Sequence, residues 1–258
     1  FLYGKRDKML ALVTGASSGI GYEISKYLSQ FGYDIIAVGQ NIERLNFLKL
    51  ECKTNVIIER VDLSNIENCI NLCEKYENKD ISILVNCAGI GAIGWFDQLS
   101  LNQELNLINV NIIATHILTK FFIDTMLKNN KGTILNVASS AAFAPGPLMA
   151  TYYATKSYVF KLSTSISKEL KKKKSKVNVS VLCPGPVKTE FNKRLNIDYS
   201  VKPTTPEYVA KYSIKKLLKG KKVIIPGFKN KLGVIASKVL PDVILEEYIY
   251  NMQSKKIK

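Results

Sequence analysis

Histidine and tryptophan are almost missing from this chain, with one of each in 258 residues. The lone imidazole, His116, sits among apolar residues of a long helical stretch and reads as packed or exposed rather than catalytic. Cysteines number five, an odd count: Cys52, Cys69, Cys73, Cys87 and Cys183 form no Cys-x-x-Cys pair. Neither a metal site nor a disulfide framework is expected, and a reducing cytoplasm is the natural setting. No apolar run reads as long enough for a transmembrane helix, so no integral membrane segment is expected. The opening FLYGKRDK lacks an apolar stretch and a small-residue cleavage site, so it is not read as a signal peptide and is left out of the fold. Acidic side chains are also scarce, 21 against 37 basic ones, for a formal charge of +16. That balance suits anionic partners. The lysines are dispersed, however, whereas a nucleic-acid groove needs basic and aromatic residues clustered together, so no nucleic-acid partner is expected. The one biased tract, KKKKSK at Lys171–Lys176, reads as a solvated helix end whose charge complements the dipole.

What the chain does have is 47% hydrophobic and 22% charged residues, a globular composition large enough for one sizeable core. From Met9 onward, strand-like and helix-like segments alternate. MLALVTG is a short apolar run, and Gly19 to Phe31 then carries Ile20, Ile24, Tyr27, Leu28 and Phe31 at helical spacing, with Gly32 as C-cap. DIIAVG, NVIIERVD, ISILVNCAG, GTILNVASS, KVNVSVLCPG and KKVIIPG read as further strands. Helices fall at Ile42–Leu50, Ile66–Tyr76, Gln103–Leu127, Tyr152–Leu170 and Pro206–Leu218 between them. Alternation with continuous apolar strands implies an α/β chain: a single-domain, Rossmann-like, doubly wound fold of about seven parallel strands with helices on both faces. Ligands bind such sheets beyond the carboxyl ends of the strands. The nucleotide-binding domain is expected over residues 9–227, and 228–258 as a C-terminal helical extension packing on the domain or on a partner surface.

TGASSGIG, Thr14 to Gly21, joins the first strand to the first helix. Gly15, Gly19 and Gly21 allow a tight turn and close approach to a pyrophosphate, with helix N–H groups facing it; Ser17 and Ser18 add hydroxyls. NCAG at Asn86–Gly89, YYATK and CPGPVKTEF follow in that order. In their order and placement these four motifs resemble the short-chain dehydrogenase/reductase family, from about Met9 to Phe191. The run SSAAFAPGPLMATYYATK looks most like the branch acting on 3-ketoacyl thioesters or hydroxysteroids.

Carbonyl reduction by hydride needs an acid for the developing alkoxide, a donor to hold the oxygen, and a group that tunes the acid. Tyr152 and Lys156 are four apart, on one helix face, and match the family's Tyr-x-x-x-Lys pattern. Tyr153 is rotated about 100° away. A nearby ammonium is expected to lower the tyrosine pKa. Either Ser139 or Ser140 qualifies by type as the hydroxyl donor, and the match to the family favours Ser139. The resemblance further implies that Asn111 orders a water relay toward the lysine and that Lys156 holds the nicotinamide ribose. It implies cofactor contacts at Ile20, Asp62, Leu63, Asn86, Ala88, Gly89, Pro184, Gly185, Val187 and Thr189. Cys87 stands where the family usually has a second Asn, and hydride transfer needs no thiol nucleophile.

The residues after the second strand bear on the cofactor. A carboxylate there binds a ribose 2′-OH and repels a 2′-phosphate. Here Gly39, Gln40 and Asn41 offer none, and Arg44 lies one helical turn on, so NADP(H) is favoured, with NAD(H) the alternative. An apolar substrate pocket is expected from Gly91–Phe96, Pro145–Met149 and Phe191–Val201, including Ile93, Trp95, Phe96, Leu148, Met149 and Leu195. It suits a small hydrophobic carbonyl compound or secondary alcohol. Leu232, Ile235, Ala236 and Val239 form an apolar stripe among Lys229, Lys231 and Lys238, fit to pack on a subunit of a dimer or tetramer or to cover the site, or to rest on an anionic membrane. The competing reading of the whole chain is a non-catalytic dinucleotide sensor of the same fold; it expects a broken tetrad, yet Asn111, Ser139, Tyr152 and Lys156 are all present.

Overall fold

The computed structural model describes residues 9–196 and 202–256. The pocket wall expected at 197–201 and the reading of residues 1–8 lie outside the described residues. The first half alternates as β1 Leu10–Thr14, α1 Gly19–Gln30, β2 Asp34–Gly39, α2 Ile42–Glu51, β3 Val56–Arg60, α3 Ile66–Lys75 and β4 Ile81–Asn86. The second half runs α4 Leu101–Ile108, a π-helical turn Asn109–Ala114, α5 Thr115–Lys128, β5 Thr133–Val137, α6 Ala150–Lys172, β6 Asn178–Leu182, α7 Glu190–Arg194, α8 Pro206–Leu217 and β7 Val223–Ile224. Two helices follow, α9 Phe228–Ala236 and α10 Asp242–Ser254.

All strand pairs are parallel, in the order β3-β2-β1-β4-β5-β6-β7. Strand alternation sends successive side chains to opposite faces. Ala11, Val13, Ile35 and Ala37 meet α1, α2 and α8 on one side. Leu12, Ile36, Val38 and Leu84 meet α3, α5 and α6 on the other. Cys69 and Cys73 are buried in the second layer as small apolar groups, where burial pushes their thiols up to about 11 and about 12.

Local chemistry explains the ends of the elements. Phe31 caps α1, and Gly32 takes the next, left-handed position at φ 86°. Asn41 and Asn65 accept backbone N–H groups at the starts of α2 and α3. Ser100 and Gln103 form a capping box on α4. The tract at Lys171–Lys176 is the frayed end of α6, with Lys174 at φ 54°.

The long helix expected at Gln103–Leu127 runs from Leu101 to Lys128 and carries a π turn at Asn109–Ala114. One expectation about it needs correction. The run Leu101–Lys128 is, by length and composition, apolar enough to cross a membrane, with a mean hydropathy of 1.3 over its most apolar window. Half of that window is packed inside this fold, where Leu118, Phe122 and Met126 lie in the core of the α3 layer. An inner helix is apolar because the sheet covers it.

Where the strand order reverses, between β1 and β4, the two backbones nearly touch. A Cβ on Gly15 (φ 67°) would lie 2.9 Å from Ala88 Cα. Thr14 Oγ1 accepts the Cys87 and Ala88 N–H groups at 3.0 and 3.1 Å and so binds the two loops together. A Cβ on Gly21 would lie 2.4 Å from the Gly15 carbonyl oxygen. Gly21→Ala therefore pushes α1 off its loop and should cost about 1–3 kcal/mol. The expected result is a lower urea midpoint at unchanged slope; an unchanged midpoint would contradict the close packing.

Candidate active site

The carboxyl ends of the strands open onto one large cavity of about 970 Å³. The glycine loop forms its floor. Ser17, Ser18, Gly19 and Ile20 line it, while Gly21 lies beneath, against Gly15. Ser18 is extended and makes no side-chain bond to its own helix, and the first turn of α1 carries no acid. The start of that helix thus presents N–H groups and partial positive charge to the cavity. A Cβ on Gly19 (φ 58°) would lie 2.9 Å from Thr189 Cγ2, so the loop and the segment after β6 close on each other. Missing side chains shape this cradle, which fits a dinucleotide pyrophosphate.

At the end near β2, Gln40 and Leu63 line the cavity, and Gln40 donates to Asp62 Oδ1 at 2.9 Å. That oxygen also accepts the Ser64 N–H and hydroxyl at 3.0 and 2.8 Å. These bonds, the backbone one foremost, hold the Asp62 carboxyl below its usual range. Asp62 stands behind the lining. Arg44 also lies outside it, turned toward Glu190 at 3.9 Å. The basic residue that does line this end is Arg60, the last of β3 and the lateral neighbour of Gly39. Sequence reasoning missed it because the search stopped at the residues following β2. Its signal was a cation at the carboxyl end of an adjacent strand.

Ala88, Gly89 and Cys87 line the middle, but Asn86 does not. Its amide donates to Thr119 Oγ1 (3.1 Å) and Asn136 Oδ1 (2.8 Å). Asn136 continues to Ser163 at 2.9 Å, which makes a buried polar seam between β4, β5, α5 and α6. The Asn86 side chain faces the layer of α5 and α6 and stands behind the cavity lining.

Tyr152, Ser139 and Lys156 converge on the cavity. Ser139 caps the short turn Ser140–Phe143 by accepting the Ala141 N–H at 3.1 Å, and its hydroxyl hydrogen-bonds Tyr152. Ser140 instead spends its N–H on the Pro184 carbonyl at 2.8 Å. Lys156 Nζ donates to the Val137 carbonyl at 3.2 Å and lies 5.7 Å from the Tyr152 ring centre. Burial pushes the Tyr152 phenol up to about 12, and burial lowers Lys156 to about 8. The expectation that the ammonium lowers the phenol is therefore overridden here. Both groups are withdrawn from water, and desolvation disfavours each charge.

Asn111 sits in the π turn. Its Oδ1 accepts the Ile90 N–H at 3.0 Å, and its Nδ2 donates to the Ile90 carbonyl and Thr155 Oγ1 at 2.9 and 3.0 Å. It clamps the loop after β4. A Cβ on Gly89 would lie 3.3 Å from Asn111 Oδ1 and 3.2 Å from Lys156 Nζ, so both polar atoms bound one small space.

Pro184, Gly185, Val187 and Thr189 line the opposite wall. The pocket expected for substrate is only partly as drawn. Gly91, Met149, Phe191 and Leu195 line it, and Tyr152 stacks against Phe191 at 5.3 Å. Trp95 and Phe96 stand outside it, 49% and 68% exposed. Ile93 packs against the Met149 and Tyr153 cluster instead. Leu148, in a left-handed turn at φ 65°, is buried with its carbonyl on the Gly94 N–H. The wall that sequence reasoning left unassigned is α10 and the turn after it: Met252, Gln253 and Lys256 line the cavity. Tyr153 bridges to it. Its ring occupies the space a Gly146 Cβ would need, and its hydroxyl accepts from Gln253 Nε2 at 3.0 Å. His116 is exposed and hydrogen-bonded to Tyr158 at 2.8 Å.

The family model described as short chain dehydrogenase matches residues 9–200. The 3-oxoacyl-(acyl-carrier-protein) reductase FabG of Rickettsia prowazekii is 35% identical over 190 residues, covering 72% of this chain and 76% of that protein. The human dehydrogenase/reductase SDR family member 11 is 30% identical over 202 residues, covering 74% and 77%. Among solved structures, a short-chain dehydrogenase from Sphingobium yanoikuyae in complex with NADPH matches with a TM-score of 0.81 at 25% identity, covering 89% of this chain and 93% of that one.

A lysine that titrates at about 8 beside an anion-binding cradle has a testable sign. Below that pH it is an ammonium that adds attraction for a dinucleotide; above it the charge is gone. NADPH affinity, followed by cofactor fluorescence, should weaken as pH rises through about 8, and Lys156→Met should abolish the break. A flat profile in the parent protein would contradict the assignment.

Proposed function

The chain belongs to the short-chain dehydrogenase family and is an NAD(P)(H)-dependent oxidoreductase, and on that footing we propose how its residues divide the work. The observation that carries the reading is the convergence of Tyr152, Ser139 and Lys156 beside the glycine cradle in one cavity. A bound nicotinamide supplies hydride to the carbonyl carbon, or accepts it from a secondary alcohol. Tyr152 gives its proton to the carbonyl oxygen in reduction and takes it back in oxidation. Ser139 donates to the same oxygen and holds it in register with the phenol. Lys156 holds the ribose side of the cofactor and keeps positive charge near the phenol. Asn111 positions the Ile90 backbone beside them. A phenol kept protonated by burial is in the state that donates its proton in reduction. Tyr152→Phe should lower kcat for reduction by roughly 10²–10⁴-fold while NADPH binding persists; parent-like turnover would overturn the assignment.

NADP(H) is the proposed cofactor. No carboxylate stands at Gly39, Gln40 or Asn41, and Arg60 lines that end. The Arg60 guanidinium is the group proposed to meet a 2′-phosphate. NADPH should be preferred over NADH by about tenfold or more, equivalent to about 1.4 kcal/mol, and Arg60→Glu should reverse the preference. A preference for NADH in the parent chain would refute this choice.

The proposed substrate is an apolar carbonyl compound, with 3-oxoacyl thioesters the first class to test. The similarity to the 3-oxoacyl-(acyl-carrier-protein) reductase and the apolar side chains of Met149, Phe191 and Leu195 support it. The free, unpaired cysteines support a reducing cytoplasm as the setting. A homo-oligomer is proposed from α9. Phe228, Leu232 and Ile235 are exposed on it and Val239 is exposed in the turn that follows, while Val234 turns inward. The stripe named in the sequence is thus left open by the chain's own fold, and α10, not α9, covers the cavity. Sedimentation should show a dimer or larger that Leu232→Asp dissociates; a monomeric parent chain that pellets with phosphatidylserine vesicles would replace the second copy with a membrane.

A further inference from the structure

Counting charge on the cavity wall separates this site from a plain apolar pocket. The charged side chains among its described lining residues are Arg60, Lys156, Arg194 and Lys256, and no Asp or Glu is among them. Arg60 and Lys156 are accounted for by the dinucleotide. Arg194 and Lys256 are not. Arg194 ends α7, next to Leu195, which packs with Met149, Tyr153 and Ile249. Lys256 lies in the turn that ends α10, where its N–H is bonded to the Gln253 carbonyl at 2.9 Å. Both therefore belong to the end of the cavity walled by Tyr153 and α10, where substrate would extend from Tyr152.

A second feature of that wall calls for a ligand. Gln253 is 2% exposed and lines the cavity, yet only one end of its amide is used, on the Tyr153 hydroxyl. Its other end, Oε1, has no partner. A buried amide oxygen left unbonded is costly, so it marks a place where a donor N–H or O–H of a ligand binds. Neither Arg194 nor Lys256 makes an ion pair among the described residues. Glu190, the acid on the Arg194 helix, is bonded to Lys193 at 3.1 Å and is reached by Arg194 only through space, as a weaker influence. Burial lowers the Lys256 pKa, which is the mark of an ammonium short of water and of a counter-charge.

We propose that the substrate is an apolar carbonyl compound or alcohol ending in an anion, a carboxylate or a phosphate, and that Lys256, with Arg194, receives the anion, while Gln253 Oε1 accepts from an N–H or O–H elsewhere on the same ligand. The proposal rests on the oxidoreductase reading for what happens at Tyr152, but not for binding. A charge-assisted bond from a desolvated ammonium gives selectivity that an apolar wall cannot.

Two matched pairs of probes, each differing only in the anion, test it on the full chain with NADP⁺ bound. One is a steroid ketone with a side-chain carboxylate against its methyl ester. The other is a 3-oxoacyl 4′-phosphopantetheine thioester against the pantetheine thioester that lacks the phosphate. Affinities are read by calorimetry. The anionic member of at least one pair should bind about tenfold tighter or better, and that pair names the anion. The ratio should shrink as ionic strength rises from about 0.05 to 0.5 M, since salt screens the attraction. Lys256→Ala should bring it to within about twofold, Arg194→Ala should reduce it, and Lys256→Arg should keep it. No ratio above twofold in either pair, or a ratio that survives both alanine variants, overturns the subsite. Discrimination in binding with no NADPH oxidation of any probe would instead sink the oxidoreductase reading and leave the subsite standing.

Discussion

One close approach of backbone to backbone governs the whole site. At the point where strand order reverses, Gly15 lies so near Ala88 that no side chain fits between them, and the Thr14 hydroxyl binds the loops after β1 and β4 together. The connections after these two strands leave to opposite sides of the sheet, which opens a crevice there. The cavity opens directly above the contact. Gly21, packed under Gly15, seats α1 so that its first N–H groups face the same space.

The reacting groups are held by a frame built on those loops. Asn111 grips both polar backbone atoms of Ile90 and the Thr155 hydroxyl, which ties the loop after β4 to α6, the helix that carries Tyr152 and Lys156. Lys156 reaches back to the Val137 carbonyl at the end of β5. Tyr153 is the other support. Its ring fills the space above Gly146, and its hydroxyl bonds Gln253, so the C-terminal helix is fastened next to the acid. Desolvation dominates the electrostatics of this frame. It keeps the phenol protonated and weakens the hold of Lys156 on its own proton, an arrangement suited to proton donation in reduction.

Charge outside and charge inside the protein mean different things. The excess of 16 positive charges is dispersed along the chain, and screening weakens each of those that face solvent. The cavity holds only four cations among its described lining residues and no acid. There the same residue types act at short range. Composition alone therefore pointed toward anionic partners without saying where they would bind.

Much of the fold was legible because its signals are local. Apolar runs ending in glycine, helical spacing from Ile20 to Leu28, and four-residue spacing between Tyr152 and Lys156 depend only on neighbours in the chain. The π turn, the inward rotation of Asn86, the exposure of Trp95 and Phe96, and the displacement of Arg44 by Arg60 were not legible. Each depends on which groups from distant segments compete for the same space or the same hydrogen bond. Asn86, for example, finds Asn136 and Thr119 only once β5 and α5 lie beside β4. By itself, then, the sequence determined the order of strands and helices, the glycine cradle and which tyrosine faces the lysine, because backbone periodicity sets these over a few residues. Tertiary structure alone decided which cation lines each end of the cavity, and that Gln253 and Lys256, about a hundred residues after Tyr153, complete its wall. Only packing brings such distant side chains within the few ångströms over which hydrogen bonds and desolvation act.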